Sequence, residues 1–397
     1  MLVSIFNSPK VREEFDITFA YRYSQEYEAG LRKRLKQKIK EEPVDFLTFG
    51  SLLADINKLR SKTSKNLLRF FVIGSFLQYW LWLYNALRIF PIIRKVKPDI
   101  IYINNGGYPG AYSCLAAVLA AKLAGVNKIV FMVNNIIVPY DRYSRYVDKP
   151  IDSFVKSQVS VFLTCSKFAG DKLRELWGLP ETRVINIPNT VEPTVLSESP
   201  EAVRQRLGLS GGQIILGNVG LLEPRKGQKY LIEALAIVKK RFADFNKIKL
   251  IIVGTGLEEE ELKKLSAAAG LESNIIFLPR DLNILALINI FDVFILSSIG
   301  SEDFPNVIVE SMYLGKPVIG TRVAGIPEQV ADGVNGFVVD PGEATALAKA
   351  ILALLEDKQK MMAMGKESQA RFKDLFSYDI FVDRVINFFR NTIGGKP

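Results

Sequence analysis

Residues 99–133 read DIIYINNGGYPGAYSCLAAVLAAKLAGVNKIVFMV. DIIYIN (99–104) is β-branched and apolar without alternation, the pattern of a strand buried on both faces of a parallel sheet. The loop NGGYPG follows, then a helix of small residues, AYSCLAAVLAAKLAG, which Gly125 ends. KIVFMV (128–133) is the next strand. Strand, loop, helix and strand in that order form a βαβ unit, and such units build parallel sheets with helices on both faces.

The pattern extends both ways. Upstream, FDITFAY (15–21) reads as a strand and 24–40 as a helix. Downstream, VSVFLTCS (159–166) is a strand, a helix runs to about 177, and RVINIPN (183–189) closes the half. TVEPTVLSESPEAVRQRLGLSGG (190–212) is polar with Pro and Gly, and the domain junction belongs at its start. The second half restarts the alternation, with strands at 213–220, 248–254, 274–279, 293–298, 317–321 and 336–340. Helices fall at about 227–242, 258–269, 282–290, 305–314 and 343–356. The expected fold class is α/β, with two Rossmann-like, doubly wound parallel-sheet domains facing a cleft. In such folds ligands sit beyond the carboxyl ends of the strands. The expected divisions are 1–192, 193–375 and a terminal amphipathic helix within 376–397 that crosses back to the first domain.

Composition narrows the chemistry. A chain of 397 residues, 48% hydrophobic and 24% charged, suits two soluble domains. Histidine is absent and only Cys114 and Cys165 carry thiols. Zinc sites built from His and Cys are excluded, as are Ser-His-Asp and Cys-His catalysis. Residues 1–192 hold 28 Lys and Arg against 17 Asp and Glu, so the whole excess of the +10 net charge lies there. That suggests an anionic surface or substrate near the first half. The start, MLVSIFNSPKVREEF, has no secretory-signal pattern. FFVIGSFLQYWLWLYNAL (70–87) is apolar, but as a helix it reaches about 27 Å, short of a ~30 Å hydrocarbon core. A buried helix and an interfacial one both fit it.

Three segments carry candidate chemistry. In GNVGLLEPRKGQKYLIEAL a strand ends at Gly220, and Arg225 and Lys226 stand at the entrance to a helix near Gly227. Free amides at a helix start, joined by two cations, suit a diphosphate, although an ordinary surface loop reads the same way. IIVGTGLEEEEL lacks the third glycine of a dinucleotide fingerprint, so it reads as structural. In VFILSSIGSEDFPNVIVESMYLGKP, Pro305 takes the first helical position and Gly315 ends the helix. Glu302 lies before that helix and Glu310 about one and a half turns inside it. Between them stand the amides near Phe304, Asn306 and Val307, and Glu310 sits in an apolar stretch where an unpaired carboxylate is costly.

This E-x7-E spacing, with SMYLGKPVIGTRVAGIPEQVADGVNGFVV after it and the basic KG loop before it, resembles the donor domain of glycosyltransferase family 4, retaining enzymes of the GT-B fold. The resemblance is dense over about 213–345. It implies a sugar transferred from a UDP- or GDP-sugar to a lipid-linked or polysaccharide acceptor. Glu302, Lys226 and Arg225 would serve the reaction centre. Gly220, Phe304, Pro305, Asn306, Val307 and Glu310 would bind the donor, and Arg280 would meet the base. Gly106, Gly107 and Asn134 would line the acceptor side. No metal or other cofactor is implied, nor a nucleic-acid partner. The place implied is cytoplasmic, with peripheral contact to an anionic membrane through the basic half. A sugar-nucleotide epimerase of the same fold and an inactive relative that binds nucleotide are the competing readings. The sequence departs from the family at Leu221, where arginine is common, and at Asn134-Asn135, where a histidine is common. The opening strand and glycine loop of the first domain are expected to be missing, since the chain starts at what reads as the following helix.

Overall fold

The computed structural model describes residues 2–52, 77–141, 143–279 and 283–394. Among them the chain divides into two compact units. Unit 1 comprises residues 1–165, 169–187 and 382–397, and unit 2 comprises 166–168 and 188–381. The division thus falls a few residues before the expected position at 192.

Unit 1 opens with two short helices, Leu2–Asn7 and Pro9–Glu14. Strands β1 (Thr18–Arg22) and β2 (Lys40–Val44) form a parallel pair. The expected helix over 24–40 is shorter, Gln25–Arg34, and its last residues feed β2 instead. KEEPV reads poorly as a strand because it is charged and contains Pro43. It forms at an edge, where a missing ladder amide is tolerated. A separate parallel sheet runs β3 (Ile101–Asn105), β4 (Ile129–Val133), β5 (Val161–Thr164) and β6 (Val184–Asn186) in spatial order. Helix Leu77–Val96 carries the described part of the apolar 70–87 segment, and the rest lies outside the described residues. Its Leu81, Ala86, Ile89 and Ile93 are buried while Trp80 is 70% exposed. No described helix is long and apolar enough to cross a membrane.

A buried polar cluster braces this unit. Arg145 donates to Asp148 at 2.6 Å and to Asp152 at 3.0 Å. Tyr108 and Tyr140 also donate to Asp152, and Tyr112 donates to Asp148. Such a cluster persists in the interior because each carboxylate oxygen accepts at least one hydrogen bond. Helix Tyr378–Gly394 gives its residues from Val382 onward to unit 1. There Phe389 meets Phe15 and Tyr102 edge-on.

Unit 2 is built on one parallel sheet of β7 (Ile214–Val219), β8 (Ile248–Val253), β9 (Ile275–Leu278), β10 (Val293–Leu296), β11 (Val318–Thr321) and β12 (Gly336–Val339). Spatial order is β12-β11-β10-β7-β8-β9. The central strands are apolar runs, and β10 and β11 are buried throughout. Helices Gln228–Arg241 and Ala344–Leu355, packed against each other, supply Leu231, Leu235, Leu347 and Ile351 to one core. Helices Pro200–Arg206 and Lys358–Leu375 complete the unit. Both were absent from the expected set, the first because it lies in a segment read as a junction.

Candidate active site

Strand order reverses between β7 and β10. From β7 the chain moves outward through β8 and β9, then returns to β10 on the other side. Neighbouring loops leave in opposite directions at such a point and open a crevice beyond the carboxyl ends. The loops there are Gly220–Gly227 after β7 and Ser297–Pro305 after β10, so the switch point gathers both candidate segments.

Hydrogen bonds tie the two loops together. Asn218 Nδ2 donates to Ile295 O at 2.8 Å, Ser297 Oγ to Lys226 O at 3.1 Å, and the Ile299 amide to Arg225 O at 2.8 Å. Thr321 Oγ1 holds Ser298 O at 2.6 Å, and Gln329 Nε2 holds Pro305 O at 3.1 Å. Gly227 turns the basic loop into helix Gln228–Arg241 with φ of 64°, and a Cβ there would collide with Ser297 O. Only glycine meets both demands without strain.

The charged groups converge on Glu302, which is 7% exposed. Lys226 Nζ contacts Glu302 Oε1. Arg225 Nη1 donates to the same oxygen at 3.2 Å and to Ser301 O at 3.2 Å, while its Nε holds Glu223 at 2.8 Å. Ser298 Oγ also donates to Glu302 Oε1, at 3.3 Å. Helix Asn306–Tyr313 follows, with Pro305 at its N-cap rather than at the first helical position as expected. The extended backbone of Pro305, with ψ of 119°, places it outside the helix. Ile308 is the first amide of the turn to find an acceptor, Pro305 O at 3.1 Å. The amides of Phe304, Asn306 and Val307 have no acceptor among the described residues, and they point from the positive end of the helix.

Glu310 lies within this helix. Burial pushes its carboxyl up to about 7, and no described residue bonds to it. Burial, with the nearby carboxylates of Glu328 and Glu302 adding to it, also raises Asp303 to about 7. Among the described residues Asp303 Oδ2 and four further side-chain atoms are buried and unpaired: Asn218 Oδ1, Gln228 Oε1, Asn189 Oδ1 and Gln329 Oε1. Asn189 Nδ2 donates to Asn306 Oδ1 at 3.0 Å and Gln228 Nε2 to Leu221 O at 3.0 Å. Buried unpaired polar atoms are rare enough to need a reason; Gln228 and Gln329 bond the two loops, Asn218 bridges the strands that precede them, and Asn189 bonds the helix start that follows the second.

Most expected donor residues are therefore assembled in unit 2: Gly220, Arg225, Lys226, Glu302, Phe304, Pro305, Asn306, Val307 and Glu310. Arg280 lies outside the described residues. Gly106, Gly107 and Asn134 belong to unit 1, beyond the carboxyl ends of β3 and β4. There Asn134 Nδ2 is engaged by Asn104 Oδ1 at 3.0 Å and Asn105 O at 2.7 Å. Sequence reasoning missed Asn218, Gln228, Asp303 and Asn189. The available signal was position: Asn218 stands two residues before Gly220, and Gln228 directly follows the Lys-Gly pair. Among the described residues no group of three acidic or thiol side chains could hold a metal ion.

Comparisons with known proteins find glycosyltransferases. A family model described as glycosyl transferases group 1 matches residues 199–371, and one described as Glycosyltransferase Family 4 matches 60–195. A phosphatidyl-myo-inositol mannosyltransferase of Mycobacterium leprae is 36% identical over 194 residues. That match covers 47% of this chain and 49% of the relative, so the chain spans about half of it. A 2-deoxystreptamine glucosyltransferase of Streptomyces kanamyceticus is 26% identical over 74% of this chain and 78% of the relative. The crystal structure of Anabaena HepE in complex with UDP superposes with a TM-score of 0.75 at 22% identity, covering 98% of this chain and 95% of that one. At that identity the likeness is one of fold.

Proposed function

We propose that the chain, which has the GT-B fold, is a member of glycosyltransferase family 4, that unit 2 binds a UDP- or GDP-sugar and that the enzyme transfers the sugar with retention to a lipid-linked or glycan acceptor. One observation carries the donor reading. A half-buried carboxylate, Glu310, with no bonding partner among the described residues, lies inside a helix whose first amides are also unpartnered there, beside two cations that meet at a second carboxylate. A nucleoside diphosphate sugar satisfies all of these groups at once. Its ribose hydroxyls donate to Glu310, and its phosphate oxygens take the amides of Asn306 and Val307 together with Lys226 and Arg225.

Glu302 holds the cations until the donor arrives. Its carboxylate gives up Lys226 and Arg225 to the phosphates and turns to the sugar. As the bond from the anomeric carbon to the phosphate oxygen breaks, its electron pair passes to the diphosphate. Lys226 and Arg225 are fixed where that charge grows, which is the most effective form of electrostatic stabilisation. The acceptor hydroxyl then attacks the anomeric carbon and gives its proton to a leaving phosphate oxygen, so the chain's lack of histidine is no obstacle. The relatives named above include transferases acting on a phosphatidylinositol and on an aminocyclitol, which supports an acceptor that is a lipid-linked or glycan alcohol. The basic first half supports the anionic, lipid-linked choice and a peripheral membrane location.

A panel of UDP- and GDP-sugars scored by thermal shift tests the donor. The stabilising sugar nucleotide is then incubated with phosphatidylinositol and with model glycosides, and the anomeric configuration of product is read by NMR. The expected results are stabilisation by one nucleotide class and an α-linked product from an α-linked donor. An inverted product, or conversion of the donor alone to its epimer, would replace the proposal. So would nucleotide binding without transfer to any acceptor.

A further inference from the structure

The segment Pro188-Asn189-Thr190 belongs to unit 2 but lies far in the chain from either donor loop. Its side chains nonetheless reach the start of helix Asn306–Tyr313. Asn189 Nδ2 donates to Asn306 Oδ1 at 3.0 Å, and Thr190 Oγ1 donates to Phe376 O at 2.6 Å. Phe376 in turn meets Phe304 edge-on, with ring centroids 5.5 Å apart. Asn189, Phe304 and Phe376 are all buried. Three distant segments thus close on one helix start.

The fold by itself gives little reason for an asparagine at 189. Its φ is not positive, so the backbone makes no special demand. Its side chain is buried, and Oδ1 has no partner among the described residues. An amide buried with its oxygen unmet is destabilising, and an apolar side chain of the same shape avoids that cost. The bond to Asn306 is the one hydrogen bond this side chain makes among the described residues.

What that bond does follows from the shape of an amide. Oδ1 only accepts and Nδ2 only donates, and the two point in different directions from one carbon. Asn306 is exposed, and with its Oδ1 held by Asn189 its Nδ2 is turned away from that neighbour. The same helix start carries the unpartnered amides of Phe304, Asn306 and Val307. The pair has one other hydrogen-bonded arrangement, in which both side chains flip and Asn306 donates to Asn189. Asn306 Oδ1 then takes the outward place, where its lone pairs repel an anion. The observed arrangement instead adds a donor to the amides.

We propose that Asn189 is a positioning residue for the donor diphosphate. It holds Asn306 with Nδ2 outward, so that this group and the helix amides take the phosphate oxygens together. Asn189 touches no phosphate itself. The inference rests on the donor reading given above and adds to it a residue from outside both loops.

The test is a double-mutant cycle on the full chain, read by calorimetric titration with UDP and with GDP, with melting temperature alongside. The variants are Asn189→Leu, which keeps the shape and removes the donor, Asn306→Ala, and the two combined. Whichever nucleotide binds the parent is expected to bind Asn306→Ala about 10-fold more weakly and Asn189→Leu about fivefold more weakly. The double variant is expected to match Asn306→Ala within about twofold, because Asn189 acts only through Asn306. Asn189→Leu is also expected to melt no lower than the parent, since an unmatched buried oxygen has gone. Should leucine fail to fold, Asn189→Ala takes its place in the same cycle under the same criteria. Unchanged affinity in the position-189 variant, whatever its melting temperature, or additive losses in the double variant would overturn the proposal and leave the donor reading standing. A parent that binds neither nucleotide would overturn both.

Discussion

Glu310→Gln is expected to stabilise the protein at alkaline pH while weakening nucleotide binding. The carboxyl titrates at about 7 in the fold because burial opposes its charge, against 4.5 as an ordinary glutamate. Below about pH 4.5 the folded and unfolded chains both hold the proton, and the site costs nothing. Between 4.5 and 7 the folded chain keeps a proton that the unfolded chain releases, so stability falls as pH rises. Above 7 the full cost stands, about 3 kcal/mol at ~1.4 kcal/mol per pH unit. Glutamine has the same shape and no charge. At pH 8 the variant is therefore expected to be more stable by up to about 3 kcal/mol, or roughly 6–12 °C in melting temperature for a domain of this size. At pH 5 the difference shrinks below about 1 kcal/mol. Binding moves the other way. Glutamine offers one acceptor where the carboxylate offers two, and a hydrogen bond to a charged group contributes ~1.5–3 kcal/mol, so affinity for UDP or GDP falls about 10- to 100-fold. Thermal melts at pH 5 and 8 and calorimetric titration with UDP and GDP read both effects. A variant less stable than the parent at pH 8 would show that the carboxylate is satisfied in the fold. Unchanged nucleotide affinity would show that Glu310 does not touch the nucleotide.

The other expectations concern neighbouring groups. Lys226→Ala should lower turnover by roughly 10²- to 10³-fold with a smaller loss of donor affinity, because the charge it meets develops only as the bond breaks; single-turnover assays separate the two. Gly227→Ala should cost at least about 1–2 kcal/mol in a denaturant melt, from positive φ and the collision with Ser297 O. Arg145→Met should cost about 3–5 kcal/mol at neutral pH, since Asp148 and Asp152 stay buried without their cation. Part of that loss should return at acidic pH, as the Asp152 carboxyl, which burial already raises, takes up a proton.

The periodicity of the chain carried most of the fold. The runs at 99–104, 128–133, 213–220 and 293–298 read as strands of parallel sheets and each meets one, apolar because such strands are covered on both faces; β3, read as a buried strand, is buried only at Ile103 and Asn105. Most strand ends were overextended by one to three residues, since apolar character continues past the last ladder bond into the loops, while β1 and β3 run one residue past their expected ends. KEEPV was not expected as a strand because nothing local favours one there. It exists because β1 lies beside it. The Arg145 cluster was illegible for a related reason: DRYSRYVDKP looks like a solvated turn until two aspartates and three tyrosines from separate segments close on one guanidinium.

At the donor site the division follows from the range of each interaction. The spacing of Glu302 and Glu310 around a helix start, and Arg225 and Lys226 before another, are local facts, so sequence alone determined them. That Glu302 is gripped by both cations, that Asn218 and Gln228 leave buried oxygens unmatched, and that Glu310 has no partner are facts about neighbours distant in the chain. They arise because strand order reverses between β7 and β10 and brings two loops about 75 residues apart into contact. Pairing across that reversal depends on which strand lies beside which, and only the tertiary structure decides it.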